Sequence, residues 1–338
     1  MAKVRLLPSG KEIEIGSFES ILSALEKNGY ALPNNCRAGA CGECKCKIVS
    51  GEFDQGFVLD MALSQAEREE GYALTCMAKP KSDLIEIEYE AEGNKPKLFP
   101  PQENLTYAVM DKYMVSNNIV KLILRSMTKP MRFWPGQYIT MGNPDKGAPV
   151  RCYSIANTTN EDGFLELLIT KVEGGKTTKW IHEDLKAGDL VKLNGPYGTF
   201  IGEPGTQTPV LCLAAGSGLA PIKSLASGAF LSGGFKNKAE VLFSAKTKED
   251  LIEHGWFEFM NSKFRKFKYQ YTLTQEENSD GLSGRVTDLL PQLYPDLSGT
   301  SIYIAGSVEF VADCEAKVKE LGAKDELIHL EKFTSQDV

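Results

Sequence analysis

The chain has 338 residues, 42% of them apolar and 25% charged, with a net charge of −7 and eight cysteines. That length exceeds the roughly 250–300 residues at which a single core stops growing, so two or three domains are expected. No apolar run approaches the ~20 residues of a membrane span, and Met1-Ala2-Lys3-Val4-Arg5 opens no signal-peptide core, so a soluble cytoplasmic protein without a membrane span is expected.

The charge is uneven. Residues 1–93 hold ten Lys and Arg against sixteen Asp and Glu, a net of −6, and residues 94–338 carry the remaining −1. Nucleic acid needs a basic face, so an acidic first segment argues against it. Such a segment suits a protein partner with a basic patch, or plain solubility.

The first 93 residues read as a small α+β unit. Lys3–Leu7 and Glu12–Ile15 alternate like strands around Pro8-Ser9-Gly10. Ile21, Leu22 and Leu25 make a helical stripe that Gly29 ends. Lys45–Val49 is the next expected strand. Ser64-x-x-Glu67 is a capping box that opens a short helix, which Gly71 closes. Tyr72–Met77 and Leu84–Tyr89 are expected strands. A polar stretch from Glu92 to Lys97, followed by Pro100-Pro101, reads as a linker over 94–103. Residues 104–204 show short strands with Gly and Pro turns: Ile119–Arg125, Gln137–Met141, Arg151–Ala156, Phe164–Thr170 and Leu190–Asn194. One helix, Thr178–Leu185, interrupts them. The pattern predicts an antiparallel β-barrel. Residues 205–338 change rhythm to strand, Gly-rich turn, helix. The strands are Val210–Ala214, Glu240–Ser244, Tyr269–Thr272 and Ser301–Ala305. The helices are Leu219–Phe230, Trp256–Lys263, Val286–Leu293 and Glu309–Leu321. This is the pattern of an α/β doubly wound parallel sheet.

Four cysteines carry the first chemical signal. Cys36, Cys41 and Cys44, with Cys76 further on, have the C-x4-C-x2-C…C spacing of a plant-type [2Fe–2S] site. Gly39 and Gly42 let the loop turn tightly and aim N–H groups at sulfur. Zinc is the competing reading, but structural zinc favours paired knuckles. Cys46, Cys152, Cys212 and Cys314 read as core residues. Residues 1–90 resemble the plant-type ferredoxin family, a β-grasp fold.

In the barrel, Arg151-Cys152-Tyr153-Ser154 puts a cation and an aromatic ring on one strand face. An arginine can fork onto a diphosphate, and a tyrosine can stack on a flavin. Gly174-Gly175-Lys176-Thr177-Thr178 opens a helix whose free N–H groups suit an anion. Gly195-Pro196-Tyr197-Gly198-Thr199-Phe200 follows. In this order the three motifs resemble the flavin domain of the ferredoxin–NADP⁺ reductase superfamily. The resemblance assigns Arg151 to the FAD phosphates, Tyr153 to stacking and Ser154 to the ring near N5. It also assigns the backbone of Gly175, Lys176, Thr177 and Thr178 to the diphosphate.

Ala214-Ala215-Gly216-Ser217-Gly218-Leu219-Ala220-Pro221 is a first strand-to-helix turn, and it lacks the third glycine of the dinucleotide fingerprint. The superfamily has a Gly-[Thr/Ser]-Gly-x-x-Pro element here, which implies that Gly216, Ser217, Gly218 and Pro221 bind nicotinamide dinucleotide. A later Cys-Gly-Pro-x-x-Met element is Ala305-Gly306-Ser307-Val308-Glu309-Phe310 in this chain. Ala305 thus stands where the family has a cysteine beside the hydride-transfer carbon, with Gly306 following. Glu331-Lys332-Phe333 resembles the Glu-x-Phe ending of oxygenase reductases, which would put Phe333 near the flavin; a tail contact is the alternative. Lys246 and Lys248 follow the second strand, where no acidic residue awaits a ribose hydroxyl. NADH is expected, with NADPH as the alternative. His182, His254 and His329 have no ligand spacing.

The layout resembles the single-chain reductase components of bacterial multicomponent oxygenases. It implies a monomer that passes electrons from NADH to FAD, to a [2Fe–2S] cluster, and on to a partner such as an oxygenase component. A reductase for an iron–sulfur dehydratase of deoxysugar synthesis, and an electron-relay subunit that does not oxidise NADH, are the other readings.

Overall fold

The computed structural model describes residues 2–30, 32–89, 98–203, 206–232, 234–277 and 281–334. The first sheet has five strands in the spatial order Lys11–Ile15, Ala2–Leu7, Leu84–Glu88, Lys45–Ser50, Tyr72–Leu74. Ala2–Leu7 pairs antiparallel with Lys11–Ile15 and parallel with Leu84–Glu88. Its inward residues Val4 and Leu6 bury against Ile21 and Leu25 of the helix Ile21–Lys27. The Ser20 hydroxyl caps that helix by accepting from Ser23 N–H. The strand expected to reach Met77 ends at Leu74. Thr75 turns away instead, its N–H and hydroxyl both donating to the Cys44 carbonyl at 3.0 and 2.9 Å. That turn carries Cys76 to the other cysteines.

The second sheet is antiparallel: Ala148–Ser154, Tyr138–Asn143, Leu190–Tyr197, Gln102–Met114, Ile119–Ser126, Phe164–Thr170. A bridge between Ile155 and Leu167 joins its two ends, so the sheet curls into a barrel. The long strand Gln102–Met114 starts inside the expected linker, of which residues 94–97 lie outside the described residues. The expected helix Thr178–Leu185 begins earlier, at Lys176, and continues from Trp180 to Asp184 as a π turn, with Leu185 N–H donating to Trp180 O at 3.0 Å.

The third sheet is all parallel: Leu282–Ser283, Phe267–Leu273, Ala239–Ala245, Val210–Ala215, Ser301–Ser307, Ile328–Phe333. Both faces are covered. From Val210–Ala215, Cys212 and Ala214 enter one apolar cluster, while Leu211 and Leu213 enter the other. The first cluster continues into the barrel through Ile119, Ala156, Leu168 and Phe200. The helix expected to reach Phe230 is regular over Leu219–Ser227 and ends in a π turn. Glu331 to Phe333, which the sequence leaves between an active-site aromatic and a tail contact, form the end of an ordered edge strand, Ile328–Phe333, in parallel register with Ser301–Ser307.

At the centre of this sheet the helix start meets the neighbouring strand at very close range. A Cβ at Gly218 would lie 2.3 Å from the Ala305 carbonyl oxygen, whereas one at Gly216 would meet nothing within 4 Å. Gly218→Ala should therefore force the helix off the strand and destabilise the nicotinamide domain by about 1–3 kcal/mol. Gly216→Ala, at φ 53°, should cost only about 1 kcal/mol of conformational strain. Thermal unfolding of the two variants, followed by circular dichroism, checks the order.

Candidate functional site

The loop after the first helix carries three of the cysteines. Gly39 and Gly42 adopt φ of 72° and 78°. A Cβ at Gly39 would lie 2.8 Å from the Phe57 carbonyl oxygen, so the loop can wrap this tightly only with glycine there. The Cys36 sulfur accepts N–H groups from Ala38, Ala40 and Cys41 at 3.4, 3.4 and 3.3 Å. The four sulfurs meet two by two, Cys36 with Cys41 and Cys44 with Cys76. The Cys36 thiol is lowered, first by the Cys41 thiol, which outweighs burial, and further by those N–H groups. Cys44 is lowered chiefly by Cys76. Among the described residues no three His, Cys, Asp or Glu side chains converge as they would on a single ion. Two pairs of cysteines fit a two-iron cluster, in which each iron takes two protein thiolates. Cys46 faces the core instead, buried, with its thiol donating to Glu88 O at 3.1 Å.

A cleft of about 760 Å³ lies where the three sheets meet. Arg151, Tyr153, Ser154, Gly175, Lys176, Thr177 and Thr178 line it from the barrel. Gly216, Ser217, Ser307, Glu331 and Phe333 line it from the parallel sheet, and Asn35 and Cys36 from the cysteine loop. The start of the Lys176–Lys179 helix has no side-chain cap, which leaves its first N–H groups for an anionic acceptor. The Tyr153 hydroxyl and Glu331 Oε2 are buried without a partner in the described structure. An aromatic hydroxyl, an arginine and uncapped N–H groups on the barrel side, with a carboxyl from the parallel sheet, fit a flavin dinucleotide.

A second cleft, of about 1020 Å³, adjoins the first through Thr170, Ala215, Gly216 and Ser307. Lys246 lines it, as does Arg285, which sequence reasoning did not single out. Lys248 is not part of that lining, and its backbone N–H donates to Glu276 Oε1 at 3.0 Å. Glu249, Asp250, Glu276, Glu309 and Asp313 share the same walls.

Not every expected site residue reaches a cleft. Gly218, Pro221 and Gly306 are buried behind the Gly216–Ser217 loop and support it. Ala305 is fully buried in the sheet core, between Ala214 and Glu331 on the neighbouring strands. The residue of that segment that opens onto both clefts is Ser307. Two other residues gain importance. Cys152, expected in the core, alternates off the Arg151–Tyr153 face and donates its thiol to the Asn35 carbonyl at 3.3 Å, where two domains meet. Glu331 is buried and holds the Ser154 hydroxyl. Burial raises its carboxyl to about 8, and the Ser154 bond only partly opposes this.

Three family models match the chain in order. They are a 2Fe-2S iron-sulfur cluster binding domain over residues 4–81, an oxidoreductase FAD-binding domain over 106–201 and an oxidoreductase NAD-binding domain over 212–316. The aromatic O-demethylase reductase subunit of an Amycolatopsis species is 30% identical over 96% of this chain and 97% of its own length. The chain belongs to the iron–sulfur flavoprotein reductases. The phenol hydroxylase P5 protein of Acinetobacter pittii is 30% identical to this reductase over 98% of the chain and 94% of its own length. The crystal structure of the Amycolatopsis cytochrome P450 reductase GcoB superposes with a TM-score of 0.89 at 29% identity, covering 99% of both chains. The reductase is thus an NAD(P)H-linked oxidoreductase with [2Fe–2S], FAD and nicotinamide domains. Among the described residues no helix is long and apolar enough to cross a membrane.

Two measurements check the site. Serine at Cys36, Cys41, Cys44 or Cys76 should abolish the visible absorbance and bound iron of the cluster, while Cys46→Ser should keep both. Glu331 gives a pH signature. Its folded pKa lies above that of an unfolded glutamate, so the folded state binds the extra proton. This contribution to stability is full below the ordinary glutamate pKa and is lost as pH rises to about 8. The flavin-free protein should lose a few kcal/mol across that window, and Glu331→Gln should flatten the slope. Melting temperatures from pH 5 to 9 decide it; equal slopes in the two proteins would refute the assignment.

Proposed function

We propose that this reductase oxidises NADH and delivers the electrons one at a time to the oxygenase component of a multicomponent system, acting as a monomer. The carrying observation is that Cys36, the Arg151–Ser154 strand and the Ser217 and Ser307 turns wall a single cleft. When bound, FAD takes two electrons together and releases them singly, and the [2Fe–2S] cluster takes one at a time.

The chain's own residues then have distinct tasks. Cys36, Cys41, Cys44 and Cys76 hold the cluster, and Cys36 is the ligand that faces the flavin cleft. Arg151 would hold the diphosphate, with the N–H groups of Gly175 to Thr178 beside it. Tyr153 would supply the stacking face for the isoalloxazine. Glu331 keeps a proton beside the Ser154 hydroxyl and so orients that hydroxyl toward the reacting edge. Gly216 and Ser217 would seat the dinucleotide, and Phe333, which lines the same cleft, would supply an apolar face toward the flavin. Ala305 serves from below, as sheet packing under that seat. The names of the relatives, reductase subunits and components of oxygenase systems, support an oxygenase as the acceptor.

Charge favours NADH over NADPH. The second cleft sets five carboxylate residues against Lys246 and Arg285, so an added 2′-phosphate meets net repulsion. Anaerobic rapid mixing should show flavin bleaching by NADH, followed by the signal of a reduced cluster. kcat/KM for NADH should exceed that for NADPH by at least about tenfold, equivalent to ~1.4 kcal/mol. Absence of rapid bleaching would make the chain a relay subunit, and equal efficiency with NADPH would overturn the charge argument.

A further inference from the structure

Away from both clefts, four charged side chains close into a ring across the seam between the barrel and the nicotinamide domain. Lys121 and Glu166 come from the adjacent barrel strands Ile119–Ser126 and Phe164–Thr170. Lys223 stands on the helix Leu219–Ser227, and Glu253 is the residue that starts the helix His254–Lys263. The four N···O distances are short: Lys121–Glu166 3.0 Å, Lys121–Glu253 2.9 Å, Lys223–Glu166 2.7 Å and Lys223–Glu253 2.7 Å. Each lysine touches both carboxylates, and two of the four contacts cross the seam. The side chains of Lys223 and Glu253 are only 5% and 8% exposed, and that of Lys121 11%. The Lys223 ammonium also lies 5.6 Å from the centre of the Trp256 ring. Glu253 is held at φ 54°, in the left-handed region, which a glutamate rarely occupies.

Three of the four charges are largely buried while Glu166 is 27% exposed, and burying charges is a poor way to gain stability. Desolvation offsets most of the Coulomb gain, and apolar residues of equal size do as well or better. What a closed ring of alternating charge does supply is one relative orientation, because a tilt breaks two ion pairs at once and strands their partners. Its position makes that orientation matter. Four residues along the strand from Glu166, the Thr170 hydroxyl donates to the Ser217 hydroxyl at 2.9 Å. Ser217 lies in the turn that leads into the helix carrying Lys223. The same barrel strand is therefore tied twice to the same turn-and-helix unit, once by the ring and once at the mouth of the clefts, where Thr170 and Ser217 stand. The two ties lie about 13 Å apart along the strand.

We infer that Lys121, Glu166, Lys223 and Glu253 are positioning residues for hydride transfer: the ring fixes the angle between the nicotinamide and flavin domains, and through it the approach of the Gly216–Ser217 turn to the flavin cleft. This inference rests on the proposed oxidation of NADH by the flavin. The ring touches neither dinucleotide cleft, so its effect falls on geometry rather than on affinity.

The test replaces all four residues by methionine, an unbranched side chain that fills such a space without charge. In the purified holoprotein, FAD content and melting temperature should stay close to those of the unaltered protein. The limiting rate of flavin bleaching at saturating NADH should fall about tenfold or more, since displacements near 1 Å can cost up to ~100-fold. The NADH dissociation constant should change less than about threefold, and the long-wavelength charge-transfer absorbance on NADH binding should weaken. In flavin-free protein, amide exchange over 215–219 should quicken. A second variant guards against misfolding: Lys121→Glu alone should slow bleaching, and Lys121→Glu with Glu253→Lys should recover part of the rate. An unchanged limiting rate in the methionine variant overturns the inference. So does a loss of rate that follows loss of FAD or melting temperature, or a double exchange no faster than Lys121→Glu. If the unaltered protein is not bleached by NADH, the oxidation itself fails, whatever the ring does.

Discussion

The cysteine loop is seated on the barrel and on the last strand of the parallel sheet by directional polar contacts. The Tyr138 hydroxyl donates to Asn34 Oδ1 at 2.6 Å, the Cys152 thiol to the Asn35 carbonyl, and the Asn35 amide to the Lys332 carbonyl. Lys332 also pairs with Glu43 at 3.1 Å, and the Arg37 guanidinium, itself paired with Glu26, lies 4.1 Å from the centre of the Tyr197 ring. Every one of these contacts involves a residue within two positions of a cluster cysteine, or the cluster loop itself. Each is worth only about 0.5–1.5 kcal/mol net, more where a charge takes part. Together they set an orientation, because hydrogen bonds fail with angle while apolar contact does not. An electron carrier needs that orientation: without it Cys36 would not share a wall with Tyr153 and Ser154, and the flavin and cluster sites would be separate pockets.

The other seam is built differently. Barrel residues Ile119, Ala156, Leu168 and Phe200 belong to the same buried cluster as one face of the parallel sheet. Apolar contact supplies cohesion there, about 25 cal/mol per Å² removed from water, without choosing an angle. The ring of Lys121, Glu166, Lys223 and Glu253 adds the angle. Cohesion and orientation are thus provided by different residues at this seam, whereas at the ferredoxin seam the same polar groups supply both.

This division explains what the sequence could and could not disclose. The Cys36–Cys44 spacing, the Arg151–Ser154 strand and the Gly216–Gly218 turn are local patterns, each written in one short stretch of chain, and Cys36, Arg151, Ser154 and Gly216 line the first cleft. The unbroken apolar run Val210–Ala214 likewise reads as a buried strand, and its two faces enter different clusters. Glu331 was not legible as a site residue, although Glu331-Lys332-Phe333 was noticed, because its burial depends on the last strand joining the sheet edge beside Ser301–Ser307. Ala305 drew attention as a departure from a family pattern. The pattern does not carry the depth of the residue, and depth removes it from the cleft. Cys152 looked like core because a lone cysteine on a strand usually is; only the docking of a domain more than 100 residues away turns it into an interface donor. Nothing in the spacing of Lys121, Glu166, Lys223 and Glu253 announces a ring, since the four residues come from four separate elements.

Electrostatics of the flavin cleft follow from the same geometry. The cleft is lined by Arg151 and Lys176, which suit phosphate, and by the Ser154–Glu331 pair. A charged carboxylate in that pair would repel an electron-rich ligand in the cleft. Burial avoids this by pushing Glu331 to about 8, which keeps it predominantly protonated at neutral pH and lets its O–H or the Ser154 O–H serve as donor. It is the burial of the final strand, rather than any charged neighbour, that raises the Glu331 carboxyl and keeps it neutral beside Ser154.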